Sequence, residues 1–286
     1  MSARAVPSIE TLPSLERSGP ATLVEAGDEV LLFDCGDGVT QRLTQAGVAL
    51  KDVSAVFLTH LHADHVVGLP ALWLTGLQRG RTDPISVFGP DGTADMMRHI
   101  EQAFSVDVAS RLDGSARDAG IDAHDIAENV VHQSEKVTVT AFVVDHGGVH
   151  PAYGYRIDYD KRRSVVISGD TRYSENLIRN AHGAQLLVHE VAAADPDLLA
   201  TSVRLGKLFM THSSPEDAAR VFRLARPYLA VYSHIMLLEV SEDDLLRRTH
   251  AGYSGAVQVG FDLMVIEIQN EVQVRRAPSE PRGVRQ

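Results

Sequence analysis

Between residues 21 and 104 the chain switches between short apolar runs and segments with a helical repeat. Ala21–Glu25 and Glu29–Asp34 read as strands joined by the turn Gly27-Asp28, a hairpin signal. Val39–Ala46 has the spacing of a short helix that stops near Gly47. Val53–Thr59 is an apolar strand that ends directly before His60. Gly68–Leu77 reads as a helix with Pro70 in its first turn, Ile85–Phe88 as a strand and Gly92–Phe104 as a helix.

Residues 105–132 break this rhythm. They are rich in Asp and Ala with little apolar periodicity, and read as a long, partly mobile connection, either a lid over a site or a solvated excursion. The pattern then resumes. Val137–Val144 alternates, Tyr153–Tyr159 and Ser164–Ser168 flank the turn Asp160–Arg163, and Leu186–Val188 is a further strand. Ser214-Pro215-Glu216-Asp217 supplies a cap, a proline at the first position and acids in the first turn, which predicts a helix to about Ala225. Leu229–Ser233 is a strand ending at His234, Ser241 caps a helix to about Thr249, and Val257–Ile268 is a closing strand pair or one long strand. Residues 1–20, rich in Pro, Ser and Glu, read as an irregular lead-in to a single domain over 21–286. Recurrence of strands and helices in both halves predicts an α/β protein.

Composition narrows the function classes. The chain has 286 residues, 44% apolar, enough to bury a substantial core. Its formal net charge of −11 excludes a general electrostatic affinity for nucleic acid, so a polyanionic substrate has to be held locally. The single cysteine, Cys35, excludes an internal disulfide. The chain lacks an apolar run long enough for a membrane span, and its first residues lack the charged start and apolar core of a secretory signal, so it is expected in the cytoplasm.

The candidate chemistry is concentrated in His60-Leu61-His62-Ala63-Asp64-His65. His60 and His62, two apart, can converge on one ion, while Asp64 and His65 can turn to a second beside it. Imidazole nitrogen and carboxylate oxygen suit zinc, and an ion with an open position makes a nucleophile from bound water. A dinuclear site needs about seven protein ligands when the ions share a water. His146, Asp170 and His234 complete the set, because each follows an apolar strand, as expected for sites at strand ends in open α/β folds. Asp170, between Gly169 and Thr171, is placed to bridge. His150 is the rival for the place of His146, but it precedes Pro151 in a turn. His99, His124, His132, His182 and His250 lie in polar or helical contexts and read as surface residues. Trp73 reads as core, with Phe104 a further candidate for shaping a pocket.

This ordered set resembles the metallo-β-lactamase superfamily, and within it the ribonuclease Z and arylsulfatase-like branch. Supporting stretches are Leu32-Phe33-Asp34-Cys35-Gly36, Phe57-Leu58-Thr59-His60, Gly154-Tyr155-Arg156, Ser168-Gly169-Asp170-Thr171, His189-Glu190-Val191, Thr211-His212-Ser213 and Ser233-His234-Ile235. The resemblance implies a four-layer αββα sandwich and a homodimer. It implies two divalent ions, zinc favoured with manganese or iron also fitting, and hydrolysis by a hydroxide that the ions share. His60, His62 and His146 would hold one ion, Asp64, His65 and His234 the other, with Asp170 bridging. It further implies that Glu190 and His212 form a proton relay with Asp64. A phosphodiesterase is favoured, with an arylsulfatase, lactonase or other ester hydrolase as the alternative. Two departures stand out. Only the 23 residues between His146 and Asp170 are available where many ribonucleases Z carry a basic tRNA-gripping arm, and two strands fill them. With the acidic charge, this argues against tRNA and for a small-molecule ester substrate. The family's first strand with its Gly-Thr-Gly turn is also missing, residues 1–19 standing in its place.

Overall fold

The computed structural model describes residues 2–6, 17–111, 120–269 and 271–277. Among these, six strands start one sheet: β1 (Ser2–Val6), β2 (Ala21–Ala26), β3 (Glu29–Phe33), β4 (Ala55–Phe57), β5 (Ile85–Gly89) and β6 (Ile121–Asp125). A second sheet follows from β7 (Asn129–Gln133), β8 (Val137–His146), β9 (Val149–Tyr159), β10 (Arg163–Ile167), β11 (Leu186–Ala194), β12 (Leu229–Leu238) and β13 (Val257–Val259). The chain then returns to the first sheet with β14 (Met264–Ile268) and β15 (Val272–Arg276). The strand orders are β15-β14-β1-β2-β3-β4-β5-β6 and β13-β12-β11-β10-β9-β8-β7. Helices α1 (Val39–Gln45), α2 (Ala63–Val66), α3 (Leu69–Gln78), α4 (Thr93–Ala103) and α5 (Ser105–Arg111) lie between strands of the first sheet. Those between strands of the second are α6 (Glu175–Ala181), α7 (Pro196–Thr201), α8 (Val203–Phe209), α9 (Pro215–Ala225) and α10 (Glu242–Gly252).

Three apolar layers hold these elements together, and the pleat of each strand decides which layer a residue joins. Leu31, Phe33 and Phe57 of the first sheet meet Tyr155, Val165 and Val188 of the second in the layer between the sheets. Their neighbours Leu32, Val56 and Leu58 point the other way, onto Val39 and Leu43 of α1 and Leu72 and Trp73 of α3. Val166 and Leu187 likewise face away from the centre, onto Leu177 of α6, Phe222 of α9 and Leu245 of α10. The result is the αββα sandwich. It also explains the unbroken apolar character of Val53–Leu58, since a strand covered on both faces has no polar side to alternate with. Trp73 is part of the core as expected.

The sequence pattern misleads at three places. Residues 2–6, within the supposed irregular lead-in, form β1, paired antiparallel with both β2 and β14, and so occupy the place of the strand thought to be missing. The segment 105–132 carries α5, β6 and β7, with 112–119 outside the described residues. β6 and β7 end the two sheets, and their residues are mostly exposed or half-buried, so apolar alternation never develops there. Strands β11 and β12 continue well beyond Val188 and Ser233, carrying His189, Glu190 and His234 inside the paired region. These polar side chains interrupt the apolar pattern without ending the strands. Among the described residues no helix is long and apolar enough to cross a membrane.

One buried hydrogen bond ties the sheets together beside the strand ends. The Tyr155 hydroxyl of β9 donates to the Leu58 carbonyl at 2.6 Å, and burial holds its pKa well above the usual tyrosine value. Tyr155→Phe strands that carbonyl in an apolar layer and is expected to cost roughly 1–2 kcal/mol in urea unfolding. An unchanged midpoint and slope would show that the bridge contributes nothing.

Candidate active site

The site begins where β3 and β4 end. These strands are parallel, with Phe33 opposite Phe57, and the rings stack at 5.0 Å; Phe57 stacks in turn on Phe88 of β5 at 5.1 Å. This ladder brings Asp34 and Thr59 side by side. The Thr59 amide donates to Asp34 Oδ1 at 2.8 Å and its hydroxyl to Oδ2 at 2.9 Å. Asp34 itself has a positive φ of 59°, a conformation that Asp tolerates better than most residues. The following backbone clamps the histidine loop: the Cys35 amide donates to the His65 carbonyl and the Gly68 amide to the Cys35 carbonyl, both at 2.8 Å. A Cβ at Gly36 would lie 2.5 Å from the Asp64 carbonyl, so the loop approaches this closely only over glycine. In the other sheet, β10 ends at Ile167 and is followed by Gly169, with φ of 60° and room for no Cβ against the Tyr153 carbonyl and the Thr59 side chain. Asp170 is thereby pressed into the seam between the sheets.

All seven expected ligands converge there. Asp170 Oδ2 lies 3.4 Å from His65 Nε2, 3.5 Å from His234 Nε2, and 3.8 Å from both His60 Nε2 and His146 Nε2. His60, His62, His146 and Asp170 could hold one ion and Asp64, His65 and His234 another, and Asp170 and His234 also group with His212. His62 is exposed and Asp64 half-buried, whereas the other five are buried. His150 is exposed, follows the strand turn, and stays outside both groups. Asp64 Oδ2 lies 3.4 Å from His234 Nε2 and 3.6 Å from His65 Nε2.

The outer ring nitrogens of three of these histidines are committed, whereas His234 Nδ1 is buried without a hydrogen-bond partner. His65 Nδ1 donates to Asp34 Oδ2 at 2.9 Å, His60 Nδ1 to the Thr59 hydroxyl at 3.0 Å, and His146 Nδ1 to the Thr211 carbonyl at 3.0 Å. Such bonds fix the tautomer so that Nε2 presents a lone pair inward, the arrangement that orients metal-binding histidines. Burial pushes His60 well below the ordinary histidine pKa, and also lowers His62. Burial would lower His65 and His234 as well, but Asp170 overrides it, with Asp34 assisting at His65 and Asp64 at His234, and both stand raised. Asp170 is held well below the usual carboxylate range despite its burial, by His234, His65 and His60. His65 Nε2 and Asp170 Oδ1 are buried with no hydrogen-bond partner. A buried carboxylate and lone pairs turned on one another are costly unless a cation lies among them. Nitrogen and oxygen donors in these two groups fit two divalent ions of the zinc type.

Beside the cluster stands the Glu190–His212 pair. Glu190 sits where the β11–β12 register shifts, between His189 and Val191, and this irregularity turns its carboxylate into the site. Oε1 accepts from the Ser213 amide at 2.8 Å and the Thr171 amide at 3.2 Å, and Oε2 accepts from His212 Nδ1 at 3.3 Å. Burial would lower His212, but Glu190 outweighs it and raises the ring to about 9. The ring stacks 5.8 Å from His234 and stands edge-on 5.0 Å from His146. Asp64, expected as a third member of the relay, contacts His65 and His234 instead, so His234 lies between it and His212.

Sequence reasoning left Asp34, Thr59 and His189 without a role. Asp34 and Thr59 hold the histidine loop. His189 is fully buried, and its Nδ1 donates to the carbonyl of Glu190 at the irregularity that aims that side chain. The available signal was an acid at the end of an apolar strand, Asp34 after Leu31-Leu32-Phe33, but its partner lies 31 positions away and is shown only by the fold.

Comparison with known proteins agrees with this geometry. Residues 30–235 match the family described as the β-lactamase superfamily domain. A ribonuclease Z of Mycobacterium sp. (strain KMS) is 33% identical over 273 residues, covering 93% of this chain and 95% of the relative. Among solved structures, the metallo-β-lactamase fold protein YhfI from Bacillus subtilis superposes with a TM-score of 0.73 at 18% identity, over 92% of this chain and 97% of that one. Human tRNase Z, short form, superposes with a TM-score of 0.71 at 23% identity, over 94% and 100%.

Asp34→Ala removes the acceptor that orients His65 without removing a ligand. Metal affinity, measured by competition with a chromophoric chelator, is expected to fall roughly 10- to 100-fold. An unchanged affinity would show that the His65 ring is held by packing alone.

Proposed function

We propose that this chain, which belongs to the metallo-β-lactamase superfamily in its ribonuclease Z branch, is a two-metal phosphodiester hydrolase acting on RNA. The observation that carries this reading is the buried Glu190–His212 pair, a proton-bearing imidazole stacked against His234 at the edge of the ligand cluster. Cleaving an ester to an unactivated alcohol needs a proton for the departing oxygen, and a histidine held by a carboxylate supplies it.

His60, His62 and His146 would hold one ion, Asp64, His65 and His234 the other, and Asp170 both. Two such ions, zinc first given the imidazole-rich donors, would supply Lewis-acid stabilisation of the phosphoryl oxygens and a water acidic enough to react near neutral pH. The remaining work belongs to the chain. Glu190 takes three hydrogen bonds, which fix its carboxylate and leave His212 one orientation. His212 keeps its Nδ1 proton on Glu190 and turns its other nitrogen toward the departing oxygen. Asp34 and Thr59 keep His65 and His60 from rotating away.

The mycobacterial ribonuclease Z is matched over 95% of its own length and 93% of this chain, so the likeness runs through nearly all of both. Nothing in the comparisons supports the small-molecule ester expected from charge and arm alone. Local cations offset the acidic surface: Arg172, paired with Asp145 at 2.8 Å, and Arg179 lie close to His146.

His212→Ala is expected to lower kcat on a precursor tRNA with a 3′ extension by roughly 10²- to 10⁴-fold, and far less on bis-p-nitrophenyl phosphate, whose nitrophenolate departs without a proton, with metal content unchanged. Elemental analysis and initial rates on one preparation check both. A metal-loaded wild type that cleaves neither substrate but hydrolyses an aryl sulfate or a lactone would replace this reading with the alternative.

A further inference from the structure

His212 has a second neighbour besides the ligand cluster. It forms part of the wall of a cavity of about 560 Å³, within the range of sites that hold small organic ligands. The rest of the wall comes largely from α7 and α8, and from the turn after Asp170. Leu199 and Phe209 are half-buried there, and Met210 is 69% exposed. Tyr173 also lines the cavity, with the Arg220 guanidinium 4.1 Å from its ring centroid. None of the three apolar side chains of this helical segment belongs to a core layer. Apolar groups kept at the surface of a chain this acidic call for an occupant.

We propose that this cavity is the leaving-group subsite and that it takes a nucleoside, with the base stacked on Phe209. The assignment rests on the reading of the chain as an RNA phosphodiesterase. In hydrolysis the bond from phosphorus to the departing oxygen breaks and phosphorus gains a hydroxyl from water. The departing oxygen gains the proton that His212 carries, and the attacking water's proton restores it. The donor therefore stands within hydrogen-bond reach of that oxygen, and the group attached to the oxygen must start beside His212. The cavity that His212 lines is the place it enters. An aromatic and thioether wall with a nearby guanidinium suits a flat base, and stacking tolerates any of the four bases. Ribose alone would leave that wall uncovered.

Binding of adenosine to the full chain, with ribose as the non-aromatic control, tests this by saturation-transfer NMR and calorimetry. Adenosine is expected to bind and ribose not. Phe209→Ala is expected to weaken adenosine roughly tenfold, while Phe209→Trp, which keeps a stacking face, stays near wild type. Met210→Glu changes the same wall at an exposed side chain, and is expected to weaken binding even where Phe209→Ala fails to fold. Equal binding of ribose and adenosine, or undiminished binding by Phe209→Ala and Met210→Glu, would overturn the subsite. Hydrolysis of bis-p-nitrophenyl phosphate by the same wild-type preparation separates the two readings. Turnover without adenosine binding overturns the subsite and leaves the phosphodiesterase standing; adenosine binding without turnover overturns the phosphodiesterase reading and, with it, the leaving-group assignment that rests on it.

Discussion

The Asp170 carboxylate is buried between two β-sheets, with four imidazole rings turned toward it. Taking such a charge out of water costs several kcal/mol, and only nearby positive charge offsets it. In the chain by itself, the raised pKa values of His65 and His234 supply that charge. Two divalent ions would supply it more completely and also engage the neutral rings of His60 and His62. Most of the surrounding structure follows from this constraint. The rings must be held by their outer nitrogens, the loops must approach closely, and water must be limited to the open side.

The two sheets meet that demand by placing the ends of β4, β8 and β10 at one edge, beside the inner stretches of β11 and β12. Side chains from five strands thus converge without a long loop having to cross the interior. Gly169 lets the end of β10 press against Thr59, and Asp34 at the end of β3 holds both Thr59 and His65. The ligands are rigid because their supports belong to the same core layers that hold the sheets together. His234, with a positive φ of 45°, sits at the β11–β12 irregularity, where the register passes from Tyr232 to Ile235, and its uncommon backbone conformation is held by the paired stretches on either side.

Glu190 and His212 add a second device. Glu190 is held by the backbone amides of Ser213 and Thr171. The two devices share their supports, since Thr171 follows Asp170 and His146 rests on the carbonyl of Thr211, the neighbour of His212. Under the function proposed above, an RNA substrate would be held by the few arginines and apolar side chains around that face, since a chain of net charge −11 does not hold a polyanion by its bulk charge.

The convergent donor cluster was legible in the sequence because metal chemistry restricts residue type and spacing. Four donors in six residues, then His146, Asp170 and His234 after apolar runs, leave few other readings. The layer architecture was legible in outline because the strands buried on both faces read as continuous apolar runs. The edge strands were not: β6 and β7 lack that pattern because their residues are exposed or half-buried, and β1 was read as part of the lead-in although it pairs on both sides. The supports of the site were equally hidden. Asp34 and His65, 31 positions apart, and Glu190 and His212, 22 apart, interact through space, and no local rule of the chain expresses that distance. Nor does the sequence show the cavity beside His212, since α7, α8 and the turn after Asp170 come together around it only in the fold. The sequence by itself determined which donors were available and that strand ends would carry them. Tertiary structure decided which nitrogen of each ring faces inward, which carboxylate is buried, and what lies next to the proton donor, because those are properties of contacts between segments far apart in the chain.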